Sequence, residues 1–396
     1  MDFTLTEEQL AWQEEVREFF RSTVSEELLD RVEEDGTEWD QELYQALADK
    51  KYTAIGIPEA YGGMGMGFTE LAIFNEEGAR ASLPHGVSSI FGTTCQWVAV
   101  AVIRLGTEEQ KRHYLPRLIS GEYRVALGLT EPGCGSDLAA VDLRAVQDGD
   151  DFILNGQKIF NSGHLATHLI TVSRTDPSAP KHKGISLLLA DLRAEGVEIY
   201  PVITIRGWKR TTVVFEDVRV PKTALLGQLN RGWYDLMSVM DMERSGMSSV
   251  AEREVSFDKI LQYVKEAKRD GKPLVEYPAV RSALADMYRE IVVGRLLSQR
   301  VIWLQATGQD ATSLASFQKL FNSEAAERLT LAAMDIIGPL TLLEWRNAGE
   351  TNKRWAPLKG LLNTMYKDLR IGQIYGGTSE IQRNIIATRE LRLPRG

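Results

Sequence analysis

The chain has 396 residues, 43% of them hydrophobic, enough for a large core and for more than one simple domain. Lys and Arg number 46 against 55 Asp and Glu, a formal charge of -9 that argues against nucleic acid as a partner. Only Cys95 and Cys134 are present, which excludes a disulfide framework and suits a reducing, cytoplasmic compartment. The opening Met1-Asp2-Phe3-Thr4 lacks a signal-peptide pattern, and Arg104 cuts short the apolar run Val98 to Ile103, so no membrane span is expected.

Residues 1–120 read as a helical domain. Thr6 before Glu7 and Glu8 is a candidate N-cap, and Leu10, Val16, Phe19, Phe20 and Val24 recur near the helical period. Pro58, Gly62, Gly63, Gly65 and Gly67 predict a loop, with a helix through Leu71, Phe74 and Ala79 after it. Residues 121–230 read as a middle β domain. Asp148-Gly149 separates two strand-like runs, a hairpin signature, and further strands are expected at Leu169 to Val172, Ile185 to Leu189, Val197 to Tyr200 and Val213 to Phe215. Residues 231–396 return to helix, with apolar stripes in Trp233 to Lys268, Val280 to Thr307, Phe317 to Ile337 and Leu358 to Ile371. Four long helices in sequence predict a bundle. Gly376-Gly377 interrupts it, and Thr378 caps a last helix through Ile381, Ile385 and Ile386. The fold class is therefore mainly α with a central β domain of barrel-like form.

The run Leu129-Thr130-Glu131-Pro132-Gly133-Cys134-Gly135-Ser136-Asp137 continues neither a strand nor a helix. It is either an ordinary surface turn or a platform of bare amides and hydroxyls for a planar ligand. His164 and His168 stand four apart without a Cys or carboxylate cluster, so no metal site is expected. The small basic clusters Lys181-His182-Lys183 and Arg206 to Arg210 offer local sites for a phosphate.

The order helical, β, four-helix resembles the acyl-CoA dehydrogenase family of flavoproteins. Three motifs carry the likeness: the Thr130 to Asp137 run, Asn155-Gly156-Gln157-Lys158, and Tyr375-Gly376-Gly377-Thr378-Ser379-Glu380-Ile381-Gln382-Arg383. The resemblance implies FAD as cofactor, an acyl-CoA substrate and an electron-transfer flavoprotein as redox partner. It implies that Leu127, Leu129, Thr130 and Gly135 meet the flavin edge, and that Phe160 and Ser162 flank the ring where the family has Trp and Thr. Thr378 and Glu380 would reach the cofactor, and Ser136, Asp241, Arg244 and Gly377 the CoA substrate.

Many family members carry the catalytic Glu directly after the Tyr of the C-terminal signature. Gly376 stands there in this chain. Other members place the base on the first bundle helix, which points to Glu243, set among Met237, Val239, Met240, Met242 and Met247. A carboxylate in apolar company has its pKa raised toward the working range of a base.

The family's adenine-side elements are altered. Ala267-Lys268-Arg269-Asp270-Gly271 and Asp335-Ile336-Ile337-Gly338-Pro339 put Asp270 and Asp335 where a neighbouring subunit's FAD diphosphate should lie. The chain is therefore expected as a homo-oligomer holding FAD differently, or as part of a heterotetramer with a related subunit. A flavin-binding or a non-catalytic subunit of a hetero-oligomeric acyl-CoA dehydrogenase, and a dehydrogenase of carrier-protein-bound acyl groups, are the alternatives. Nitroalkane oxidation is disfavoured by Gly376.

Overall fold

The computed structural model describes residues 1–36, 38–240, 246–345 and 349–394, with the backbone alone for 350–352. The first helices are α1 (Glu7–Thr23), α2 (Glu26–Asp35), α3 (Gln41–Asp49), α4 (Phe68–Arg80), α5 (His85–Phe91), α6 (Ala99–Leu105) and α7 (Glu108–Ile119). Strands β1 (Val125–Gly128), β2 (Arg144–Asp148), β3 (Asp151–Asn161), β4 (His168–Arg174), β5 (Ile185–Asp191), β6 (Val197–Ile203), β7 (Lys209–Pro221) and β8 (Leu225–Leu226) follow. Helices α8 (Gly232–Met240), α9 (Met247–Glu266), α10 (Pro278–Ala306), α11 (Thr312–Ile337), α12 (Glu350–Trp355), α13 (Leu361–Ile374) and α14 (Ser379–Ile385) complete the chain. This is the expected helical, sheet, helical order. The contacts group into two compact units, Met1–Glu34 with Ala72–Leu83 and Arg244–Gly396, and Asp35–Leu71 with Pro84–Glu243.

In the sheet-bearing unit the strands run β6-β7-β3-β2-β4-β5-β8, with β1 parallel to β4. The sheet is open, so the barrel-like form expected of the middle segment is not realised. Strands β4 and β5 are buried along almost their whole length, with the Thr171 and Ser173 hydroxyls paired to each other among apolar neighbours. Gly149 takes the left-handed backbone (φ +58°) that the tight turn between β2 and β3 needs, and Asp148 faces Asp151 in register. Strand β3 loses register with β7 twice, between Leu154 and Gly156 and between Lys158 and Asn161.

The helical run His85–Leu105 has 21 residues and mean hydropathy 1.5, so by length and composition it could cross a membrane. The sequence pattern misses this because the run starts at His85, well before Val98. Here it is a core helix: Val87, Ile90, Phe91, Trp97, Val98 and Val102 are buried within the unit.

Helix α8 is seated on β5 through Gly232. A Cβ at that position would lie 2.7 Å from the Ser186 backbone, which cannot give way. Gly232→Ala is expected to destabilise the protein by about 1–3 kcal/mol through overpacking. Chemical denaturation checks this, and an unchanged unfolding midpoint would show that α8 shifts freely.

In the bundle-bearing unit, α9, α10, α11 and α13 share one core built from Ile260, Val264, Leu284, Ile291, Leu329, Ala333 and Leu362. Thr6 caps α1 through a reciprocal box with Gln9, and Phe20 packs on Phe74 with ring centroids 5.3 Å apart. A four-membered charge cluster ties α4, α9 and α10. Arg295 donates to Glu254 (2.6 Å) and Glu76 (2.8 Å), and Arg80 to the same two carboxylates (2.6 and 2.8 Å). The stripe expected as one helix from Trp233 to Lys268 is found as α8 and α9, with 241–245 between them.

Candidate active site

The Thr130 run folds as a tight turn at the end of β1. Glu131 N–H donates to Cys134 O (3.0 Å), and Cys134 N–H donates back to Glu131 O (3.2 Å). Gly128 lets β1 approach β4 closely, since a Cβ there would lie 2.6 Å from Leu169 Cδ2. Leu127, Leu129 and Thr130 are half-buried, while Gly133, Gly135 and Ser136 are exposed. A Cβ on Gly133 or Gly135 would meet nothing within 4 Å, so this side of the turn is open. Among the described residues, no protein acceptor takes the Thr130 N–H.

What holds the turn is a pair that sequence reasoning missed. The Lys158 side chain is fully buried, and its ammonium donates to Glu131 Oε1 (2.6 Å), Val172 O (2.7 Å) and Leu129 O (3.2 Å). The Glu131 carboxylate accepts in addition from Asp142 N–H (2.7 Å) and Leu143 N–H (3.0 Å). Burial pulls the Lys158 pKa below the ordinary lysine value, and the charge of Glu131 offsets only part of that. Lysine within a strand reads as solvated, so no local pattern could have revealed this.

The second register shift in β3 decides where Phe160 points. Ile159 N–H donates to Thr130 O (2.9 Å), tying strand to turn. One residue on, Phe160 has left-handed backbone (φ +59°) and is 64% exposed. Left-handed backbone costs a bulky L-residue about 1–2 kcal/mol, and such strain clusters at functional sites. Asn161 is locked inside by Thr211 and the Gly163 N–H, and Ser162 is half-buried beside it. The structure thus brings Thr130, Phe160 and Ser162 into one neighbourhood.

Ser136 stands next to Asp137, which pairs with Lys181 on the surface. Arg174 pins that loop to the turn's exit through Ala139 O (2.7 Å) and Lys183 O (2.8 Å). In the second basic cluster, Arg210 is tied to Glu38 (3.0 Å). Burial pushes Cys134 upward, away from thiolate, and pushes His164 and His168 each down to about 4, so both imidazoles are neutral near pH 7. No metal-binding group occurs among the described residues.

The C-terminal signature lies in the bundle-bearing unit. Thr378 caps α14, accepting from Ile381 N–H (3.2 Å). Gly376 and Gly377 both have positive φ, and their carbonyls accept from Gln382 Nε2, with Lys319 also on Gly377 O (2.7 Å). Glu380 is exposed, its carboxyl held below the usual range by its own backbone N–H and then by the Thr378 hydroxyl. Ser379 Oγ and Gln382 Oε1 are buried and find no partner among the described residues. Glu243, Asp241 and Arg244 lie outside the described residues.

Matches to known proteins run along nearly the whole chain. Residues 6–122, 126–218 and 230–391 match the family models for the acyl-CoA dehydrogenase N-terminal, middle and C-terminal domains. This chain belongs to the acyl-CoA dehydrogenase family. It is 32% identical over 378 residues to the caffeyl-CoA reductase-Etf complex subunit CarC of Acetobacterium woodii, covering 94% of this chain and 95% of that one. It is 31% identical to acyl-CoA dehydrogenase FadE29 of Mycobacterium tuberculosis, over 100% and 99% of the two chains. The ChsE4-ChsE5 complex of M. tuberculosis has a chain of the same fold, with TM-score 0.88, 30% identity and full coverage of both. The protein is an oxidoreductase and its cofactor is FAD. Within the sheet-bearing unit the residues fit that group: an open turn whose Thr130 amide has no protein acceptor among the described residues, and a strained exposed aromatic beside it.

Proposed function

We propose that this protein dehydrogenates an acyl-CoA thioester, forming a double bond between the α and β carbons and passing the electrons to an electron-transfer flavoprotein. The Thr130 turn supports the reading most directly, because its amide and open glycines suit the pyrimidine edge of a flavin better than a solvated turn needs. When bound, FAD supplies the acceptor for the hydride that leaves the β carbon. Glu243 is the base that takes the α proton, as its position after Met240 and before Met247 and the lack of a side chain at Gly376 suggest. Leu127, Leu129, Thr130 and Gly135 line the flavin edge, Phe160 and Ser162 flank the ring, and Thr378 and Glu380 contribute from the C-terminal signature. Ser136, Asp241, Arg244 and Gly377 hold the CoA moiety.

We also infer a related partner subunit. Arg269, which would otherwise face a neighbour's diphosphate, donates instead to Ile336 O (2.9 Å), and Asp270 and Asp335 are exposed. Two carboxylates at that surface repel a diphosphate. The chain purified alone is therefore expected to hold flavin substoichiometrically, and to gain full yellow colour and a larger native mass with the partner. A full flavin complement in a homo-oligomer overturns the partner. Bleaching by acyl-CoA but not by acyl carrier protein separates the substrate classes.

A further inference from the structure

The Lys158–Glu131 pair lies directly beneath the face of the turn that the proposed function assigns to flavin. Its geometry is specific. The carbonyl of Leu129 and the N–H of Thr130 belong to one peptide unit, and the Lys158 ammonium donates to that carbonyl from the buried side (3.2 Å). A cation on the oxygen of a peptide withdraws electrons from it and makes the N–H at its other end a stronger donor. Among the described residues the Thr130 N–H has no protein acceptor. Glu131, held by Asp142 and Leu143 N–H groups, keeps the ammonium in place rather than reaching outward itself.

We propose that Lys158 is a positioning residue for the cofactor: from inside the protein it fixes and polarises the Leu129–Thr130 peptide, so that the Thr130 N–H is aimed and strengthened as a donor to a flavin carbonyl oxygen. The inference rests on the flavin reading of the turn. A plain core ion pair would only stabilise the fold; this one also sets the strength of a ligand contact that neither side chain touches.

The test compares full-length native protein with K158M/E131Q, which removes both charges and so leaves no buried charge unpaired, and with K158R, which keeps a cation facing both Glu131 and the Leu129 carbonyl. Each is stripped of flavin and titrated with FAD at pH 7, following quenching of flavin fluorescence and the shape of the bound flavin's absorption bands. Far-UV circular dichroism and thermal unfolding of the flavin-free proteins report folding separately. The double variant is expected to bind FAD at least about tenfold more weakly and with altered bands, the scale of one charge-assisted hydrogen bond. K158R loses no more than about threefold, less than the same scale. A folded double variant with native affinity and bands overturns the proposal, as does a folded K158R that loses as much as the double. Should the double variant not fold, K158Q, a neutral donor of similar reach, replaces it in the same comparison. Failure of the native protein itself to bind FAD refutes the flavin reading instead, a distinct result.

Discussion

Glu243→Gln is expected to leave FAD bound and lower the rate of flavin reduction by acyl-CoA by about two to four orders of magnitude, the usual contribution of a general base. The amide has nearly the shape of the carboxylate but cannot accept a proton, so binding and chemistry separate cleanly in this variant. Stopped-flow bleaching of the flavin reads the chemistry, and the flavin to protein ratio reads the binding. Near-native bleaching would remove Glu243 from the mechanism. A second arm uses Gly376. Its Cβ position meets nothing within 4 Å, so a side chain has room there, although φ is +63°. In E243Q/G376E, partial recovery of bleaching is expected, because the base can then act from the signature loop at a backbone cost of about 1–2 kcal/mol.

Arg295→Met is expected to destabilise the protein by about 1–3 kcal/mol, because it removes one of the two cationic partners of two partly buried carboxylates. Glu76 and Glu254 would then face each other with only the half-exposed Arg80 between them. Urea unfolding measures the loss. Restoring part of the stability by adding Glu76→Gln shows that like-charge repulsion, not lost packing, is responsible. The same cluster predicts a pH dependence. Burial pushes the Glu76 carboxyl upward, but Arg295 and then Arg80 outweigh burial and hold it below the ordinary value of 4.5. A carboxylate depressed on folding contributes stability that is fully present above that ordinary value and is lost as the pH falls through the lower, folded one. The native protein should therefore weaken more steeply than Glu76→Gln between pH 5 and the acid limit; parallel acid limbs would show that Glu76 carries no such linkage.

Much of the architecture is legible in linear order. The Asp148-Gly149 hairpin, the Thr6 and Thr378 caps, and the apolar stripes of α9, α10, α11 and α13 each depend on residues within a turn or two of one another, and each is found. Local chemistry is what short-range patterns record. The Leu129 to Asp137 run is recognisable as an interruption for the same reason. The open form of the sheet is not, because closure depends on how edge strands β6 and β8 are left, and alternation along one strand says nothing of that.

Side chains whose roles depend on distant partners were illegible. Lys158 becomes a buried cation only because Glu131, 27 residues earlier, and the Val172 carbonyl surround it. Phe160 turns outward because β3 slips against β7, which lies some fifty residues on. Arg295 meets Glu76 across 219 positions. The periodicity of a chain states which faces seek the interior, since burial of apolar surface is additive and local in origin. Which charges meet there is decided by packing between elements, where the low dielectric makes each pairing matter and no rule of spacing can foresee it.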